Sequence, residues 1–279
     1  TGAVSRILEL ENGGVTWREV TMPEGGRRAG VIELHADGSY DAFTRLPVVR
    51  GDLYVGAGAR MRVEAGGTLV LAGDTVTLLG GLEARGGLIT VRGAKDSNTV
   101  FPEAAAQYSK ALPTVFFGAS SRIDARGEVV LTPDAHGYRR GQVLSGGKVT
   151  VSGNVVVDGG SVFDVSGTAA VLDLAVGSGR EFSGGEDVAS ASLPGRRLVP
   201  TLVETDGGSI TVSGAQMLLV DGTLRGAAGG ASARGGVLGL SSGLYFGIGV
   251  AANQTALDVT LEVSQSQKRV FVGSSDVVG

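Results

Sequence analysis

A short glycine phrase recurs along this chain and constrains its fold more than any other feature. Gly-Gly is followed by an apolar/polar alternation and closed by another glycine. The phrase reads Gly66-Gly67-Thr-Leu-Val-Leu-Ala-Gly, Gly86-Gly87-Leu-Ile-Thr-Val-Arg-Gly and Gly146-Gly147-Lys-Val-Thr-Val-Ser-Gly. It returns as Gly207-Gly208-Ser-Ile-Thr-Val-Ser-Gly and, more loosely, as Gly235-Gly236-Val-Leu-Gly-Leu-Ser-Ser-Gly. The two nearest copies begin at Gly66 and Gly86 and set the period. Strands this short cannot bury a face alone, so a period of roughly 20 residues predicts stacked units that share one lengthwise core. Parallel crossovers are overwhelmingly right-handed. The expected fold is therefore all-β: a right-handed parallel β-helix with about three short strands per coil.

Composition removes the competing classes. Glycine contributes 48 of 279 residues, yet no Gly-X-Y period runs through them and prolines number only 7, which excludes collagen. A hydrophobic share of 42% with 19% charged residues argues against disorder. The glycines are expected at corners that need positive φ. Net charge is −4 and no Lys/Arg run exceeds two residues, so no nucleic-acid or polybasic membrane footprint is present. The absence of cysteine removes disulfides, thiolate metal sites and cysteine nucleophiles together. Zero cysteines fits a reducing cytosol, and equally a chain threaded unfolded through an oxidising compartment.

Along the chain, residues 1–50 form an irregular end coil with strands expected at 15–20 and 31–35. Regular strands follow from Leu53 to Val91. Residues 93–114 break the pattern, and Pro102 to Leu112 reads as a short helix. Strands resume at Val115–Phe117 and Val129–Leu131. Residues 132–145 make a second excursion, 147–174 are regular again, and 177–200 reads as a long surface loop. Coils return over 207–240, and alternation persists at 257–263 and 269–272. If every coil takes roughly 20–22 residues, 1–279 is one segment of roughly 11 to 13 coils, a rod of roughly 50–60 Å. With Thr1 at its start and no signal peptide, the expectation is an internal or processed segment of a longer protein. Val149, Val151, Val155, Val157, Ile210, Val212 and Leu219 are expected to point inward and stack in rows.

Several residues invite a functional reading. Arg50-Gly51-Asp52 matches the tripeptide that integrins recognise, but it leads straight into the strand at Leu53, where an ordinary corner needs glycine. Glu33, His35 and Asp37 alternate on one strand and are candidates for a metal site, against a solvated outer face ending in a turn. His136 lies near Asp134 and Tyr138 with no serine nucleophile beside it. Gly160 to Gly167 is superficially like a calcium-binding nonapeptide but lacks tandem repetition, and Val162 and Val165 read as core. No phosphate loop, His-Glu-x-x-His or Gly-x-Ser-x-Gly occurs. No cofactor is expected. A sugar-cleaving enzyme needs paired carboxylates in one groove, and Asp124, Asp158, Asp164 and Asp173, with Arg122 and Arg126, are the candidates. The reading preferred here scatters those carboxylates around different sides of the coil as turn partners or solvent-facing groups.

The stretches Leu131 to Arg140, Val143 to Asn154, Gly160 to Gly167, Asp206 to Gly214 and Val220 to Gly230 together resemble the central rod of filamentous-haemagglutinin-like large exoproteins. These are the secreted partners of two-partner secretion systems in Gram-negative bacteria, and the likeness covers about residues 50–240. The resemblance implies passage through a dedicated outer-membrane pore, an extracellular cell-surface location and adhesion to a host or neighbouring-cell protein or glycan. This stretch would be a non-catalytic structural and adhesive shaft, with its cut ends free to stack on further copies. A β-helix polysaccharide lyase or glycoside hydrolase is the alternative.

Overall fold

The computed structural model describes residues 4–11, 14–21, 24–44, 47–102, 111–175, 197–243, 259–264 and 269–274. Strands take 52% of the chain and helix 4%, so it is all-β. In order, the strands are β1 (Val4–Glu11), β2 (Gly14–Thr21), β3 (Val31–Ala36), β4 (Ser39–Tyr40), β5 (Pro47–Val49), β6 (Asp52–Val55), β7 (Arg60–Arg62) and β8 (Thr68–Gly73). Then come β9 (Thr75–Leu78), β10 (Gly81–Glu83), β11 (Leu88–Arg92), the helix α1 (Ser97–Val100), β12 (Val115–Phe117), β13 (Arg122–Asp124), β14 (Val129–Thr132) and β15 (Arg140–Val143). The last are β16 (Lys148–Val157), β17 (Val162–Asp164), β18 (Ala169–Ala175), β19 (Leu198–Glu204), β20 (Ser209–Val220), β21 (Thr223–Arg225), β22 (Val237–Ser242), β23 (Val259–Ser264) and β24 (Arg269–Ser274).

Three parallel ladders organise these strands. The first runs β3-β8-β11-β16-β20-β22. The second runs β6-β9-β12 and continues onto the C-terminal halves of β16 and β20. The third is β7-β10-β13-β17-β21. Five successive passes each contribute to all three ladders, with β16 and β20 long enough to serve the first two at once, and β22 extends the first. Side chains alternate across a strand, so every pass sends one apolar set inward. Leu69, Ile89, Val149 and Ile210 form one inner row, and Leu71, Val91, Val151 and Val212 the next. The third ladder supplies Leu82, Ile123 and Phe163. Phe163 meets Phe117 edge-on at 4.9 Å between ring centres, bridging two ladders. Each buried Leu, Ile or Val side chain contributes about 1.5–3 kcal/mol relative to exposure.

The Gly-Gly corners stack as a column. A Cβ on Gly87 would lie 2.1 Å from the Gly67 carbonyl oxygen, one on Gly147 2.1 Å from that of Gly87, and one on Gly208 1.8 Å from that of Gly147. The second glycine of each phrase is thus required by close backbone approach. Within the phrases positive φ occurs at the first glycines Gly66 (76°) and Gly86 (61°) and at the closing Gly153 (134°).

The ladders hold fewer passes than the length suggests. Only the step from Thr68 to Leu88 spans a single bare repeat. The steps from Leu88 to Lys148 and from Lys148 to Ser209 each run about three times as far along the chain. Among the described residues six strands fill the longest parallel ladder, a stack of roughly 24 Å against the expected roughly 50–60 Å. The surplus goes into excursions. Val129–Leu131 and Val171–Leu174 are not ladder strands: they lie in the antiparallel hairpins β14-β15 and β18-β19.

Between β11 and β12 the chain leaves the ladder through α1. Asp96 caps this helix by accepting from the Asn98 N–H. The expected helix from Pro102 to Leu112 falls on 103–110, outside the described residues. A buried polar staple holds this excursion in place. The Asn154 side chain donates to Leu112 O (3.2 Å) and Gln216 Oε1 (2.9 Å), while Gln216 Oε1 also accepts from the Ser97 N–H and hydroxyl. The staple sits where β16 and β20 slip register. Gly153 and Gly214 still pair, but Val155 pairs with Leu218, because Ala215, Gln216 and Met217 lengthen β20. Leu219 therefore matches outward Val156, and the inward residues are Leu218 and Val220. The other six inward assignments hold, each 3% exposed or less.

Candidate functional site: a charged groove on the third ladder

Outward positions of the third ladder stack as rows of charge. One row reads Arg62, Glu83, Asp124, Asp164 and Arg225 across five consecutive strands. The row beside it reads Arg60, Gly81, Arg122, Val162 and Thr223. The side chains over these two rows wall a groove of about 400 Å³. Gly81 lies in its floor: a Cβ there would make ordinary contacts, 3.6 Å from Arg60 Cγ and 3.7 Å from the Arg122 carbonyl oxygen, without a clash.

Asp124 and Asp164 therefore share one face on adjacent passes, which corrects the expectation of scattered carboxylates. Parallel in-register stacking brings together whatever occupies one position of the repeat, whether apolar or acidic. The other two candidates lie elsewhere. Asp158 accepts from the Gly159 N–H in a turn (3.1 Å), and Asp173 on β18 accepts from the Arg139 N–H (2.7 Å).

Asp124 is held by a two-pronged arginine clamp. Arg126 donates Nε–H to Oδ1 (2.9 Å) and Nη2–H to Oδ2 (2.7 Å). Partial burial works against ionisation of Asp124. The Arg126 guanidinium and backbone N–H, with the charges of Arg126 and Arg85, outweigh it and hold the carboxyl below its ordinary value of 3.8. Arg85 reaches Glu128 Oε2 at 2.6 Å. Its Nε lies 3.1 Å from Glu83 Oε1 and 3.4 Å from Asp124 Oδ2. That suits ion pairing, but the N–H is misaligned for a hydrogen bond. Asp164 accepts from the Ser166 N–H through Oδ1 (3.0 Å).

The two arginines beside Gly81 differ from these. Arg122 donates only to main-chain oxygens, of Ala119, Ser121 and Gly160. Exposed Arg60 has no partner among the described residues. The groove thus carries two cations without carboxylate partners beside a neutralised acidic row. Sequence reasoning singled out Arg122, Arg126, Asp124 and Asp164 but missed Arg60, Gly81, Glu83, Arg85 and Glu128. The shared third-strand position of Arg62, Glu83, Asp124 and Asp164 was the available signal.

The remaining candidates are tied down locally. Arg50 forks onto Asp52 with two hydrogen bonds of 2.7 Å and lies over the Phe101 ring at 5.0 Å. Gly51 is a buried corner, where a Cβ would stand 1.9 Å from the Ala36 carbonyl oxygen. Arg50-Gly51-Asp52 is thus closed on itself rather than presented at a loop tip. Glu33 and His35 share the exposed face of β3, with Oε2 and Nε2 3.8 Å apart, and Asp37 follows the strand. Among the described residues no three His, Asp or Glu side chains converge on a metal-sized site. His136 sits at the β14-β15 tip, its backbone N–H donating to Asp134. In β17 the core residue is Phe163 and Val162 faces outward, while Val165 is buried as expected.

A second concavity, about 380 Å³, follows the column of Gly-Gly corners, with Lys148 as its charged side chain. Compared with known proteins, the chain matches no family model, no curated protein and no solved structure.

Proposed function

We propose that this chain is a non-catalytic structural and adhesive shaft segment of a secreted cell-surface exoprotein, folded as a right-handed parallel β-helix. The observation that carries the reading is the column of Gly-Gly corners. Parallel strands repeat around one core, and the non-repeating sequence is put out as hairpins on the surface. Such a body supplies length and stiffness, and its function resides on outward rows and excursions. The filamentous-haemagglutinin-like phrasing supports export through an outer-membrane pore and a partner on a host or neighbouring cell. Among the described residues the first ladder ends on β3 and β22, so end-to-end stacking on further copies belongs to the same proposal.

Polysaccharide cleavage is the rival that the stacked Asp124 and Asp164 call to mind. A general acid needs a carboxyl with a raised pKa. The Arg126 clamp on Asp124 acts in the opposite direction, which favours a binding surface. The test places the chain behind a two-partner secretion domain, with its pore, in a Gram-negative host. Protease-accessible, folded chain on intact cells is expected. Retention in the periplasm as folded or degraded material would overturn the exported-shaft reading.

A further inference from the structure

We infer that the groove around Gly81 binds a carboxylated oligosaccharide, with Arg60 and Arg122 taking a sugar carboxylate and the neighbouring acidic row taking its hydroxyls. The inference goes beyond the shaft reading and does not depend on how the chain is exported. Gly81 pairs in register with Arg60 on one side and Arg122 on the other. Both arginines line the groove, and their backbones stand about 9.6 Å apart, twice the strand spacing. Arg122 spends Nη1 on main-chain oxygens and keeps its other N–H donors for a ligand. A planar anion fits the gap between them because the arginine fork matches a carboxylate with paired N–H donors.

What surrounds the gap selects a sugar over a bare polyanion. Glu83, Asp124 and Asp164 line the same groove. Carboxylates, even when paired with arginine, keep lone pairs that accept hydrogen bonds from hydroxyls. Asp164 spends Oδ1 on the Ser166 N–H and leaves Oδ2 open, and Ser120 adds a hydroxyl at the rim. Carboxylates spaced among several hydroxyls describe a uronate-type oligosaccharide. Nucleic acid or a heavily sulfated chain has few hydroxyls to donate to that row.

The experiment titrates the whole chain with trigalacturonate, with its neutral counterpart galactotriose and with a single-stranded DNA oligonucleotide, at low and high salt. Saturable binding of trigalacturonate alone, weakening as salt rises, is expected. Arg60→Gln should weaken it about tenfold or more, the scale of one charge-assisted hydrogen bond. Arg122→Gln should do the same, but its three main-chain bonds also hold the fold. Arg60→Gln and the gap-filling Gly81→Thr therefore carry the test, since neither disturbs a described contact. Arg92→Gln, on the outer face of the first ladder, should leave binding unchanged. Equal affinity for galactotriose, tighter binding of DNA, or undiminished affinity in both Arg60→Gln and Gly81→Thr would overturn the assignment. Shortened or unsaturated products would overturn the non-catalytic reading and yet support the site.

Discussion

The strand pairs β11-β16 and β18-β19 look alike in sequence and differ in structure. Val149-Thr-Val-Ser in β16 and Val171-Leu-Asp-Leu in β18 both carry apolar residues interrupted by polar ones, yet the first stacks in parallel on the pass before it and the second folds back as a hairpin. What separates them is the preceding corner. Gly146-Gly147 lets the backbone come within touching distance of Gly87, whereas Thr168 leads into β18 without a glycine pair. A β-prone run states that a strand forms. At β8, β11, β16, β20 and β22 a glycine pair leads the strand into the parallel ladder, while β12 and β13 join theirs without one.

The sharpest break of that comparison is one substitution made in both regions. Val151 is fully buried, so Val151→Asp puts an unpaired charge into a dry core and should cost about 4 kcal/mol or more, or prevent folding. Val171 is 41% exposed, and Val171→Asp should stay within about 1 kcal/mol. Urea unfolding of both variants provides the check, and equal costs would dissolve the distinction.

Glycines sharpen it next. Gly147→Ala drives a methyl group against the Gly87 carbonyl and should cost about 3 kcal/mol. Gly137, at the tip of β14-β15, has positive φ but open space, so Gly137→Ala should cost only about 1 kcal/mol, from the backbone alone. Thermal melts separate the two, and a larger loss at Gly137 would count against the stacked column.

The smallest effect concerns the outward rows. Asp124 has a folded-state pKa below its ordinary 3.8. Its contribution is therefore complete above that value and is lost as pH falls through the lowered one. Stability measured down an acid series should decline below about pH 4. Asp124→Asn should make that decline shallower, and an unchanged profile would show that the Arg126 clamp adds nothing to stability.

The core and the site were legible to different degrees. Val149, Val151, Ile210 and Val212 could be assigned inward because the repeat states its own register. Leu219 could not, since the lengthening at Ala215 to Met217 follows from a staple to Asn154, Ser97 and α1 that no local pattern displays. The pass count failed for a related reason: antiparallel hairpins such as β14-β15 use the same apolar alphabet as ladder strands. The groove was half visible. Asp124, Asp164, Arg122 and Arg126 stood out as charges near strands. Arg85 meets Glu128 from a distant part of the sequence, and Gly81 matters only because two arginines flank it in space.

The central claim is that successive Gly-Gly phrases stack in parallel and in register, and the absence of cysteine allows it to be tested directly. Thr150 and Thr211 are outward residues paired across β16 and β20. At about 4.8 Å between strands their Cα atoms fall within the range a disulfide spans. Oxidation of the Thr150→Cys/Thr211→Cys double variant should give a monomeric intramolecular disulfide with an unchanged far-UV spectrum. A Thr150→Cys/Ser241→Cys pair, two strands apart, should stay reduced. Failure of the first pair to close while the second closes would contradict the parallel stack.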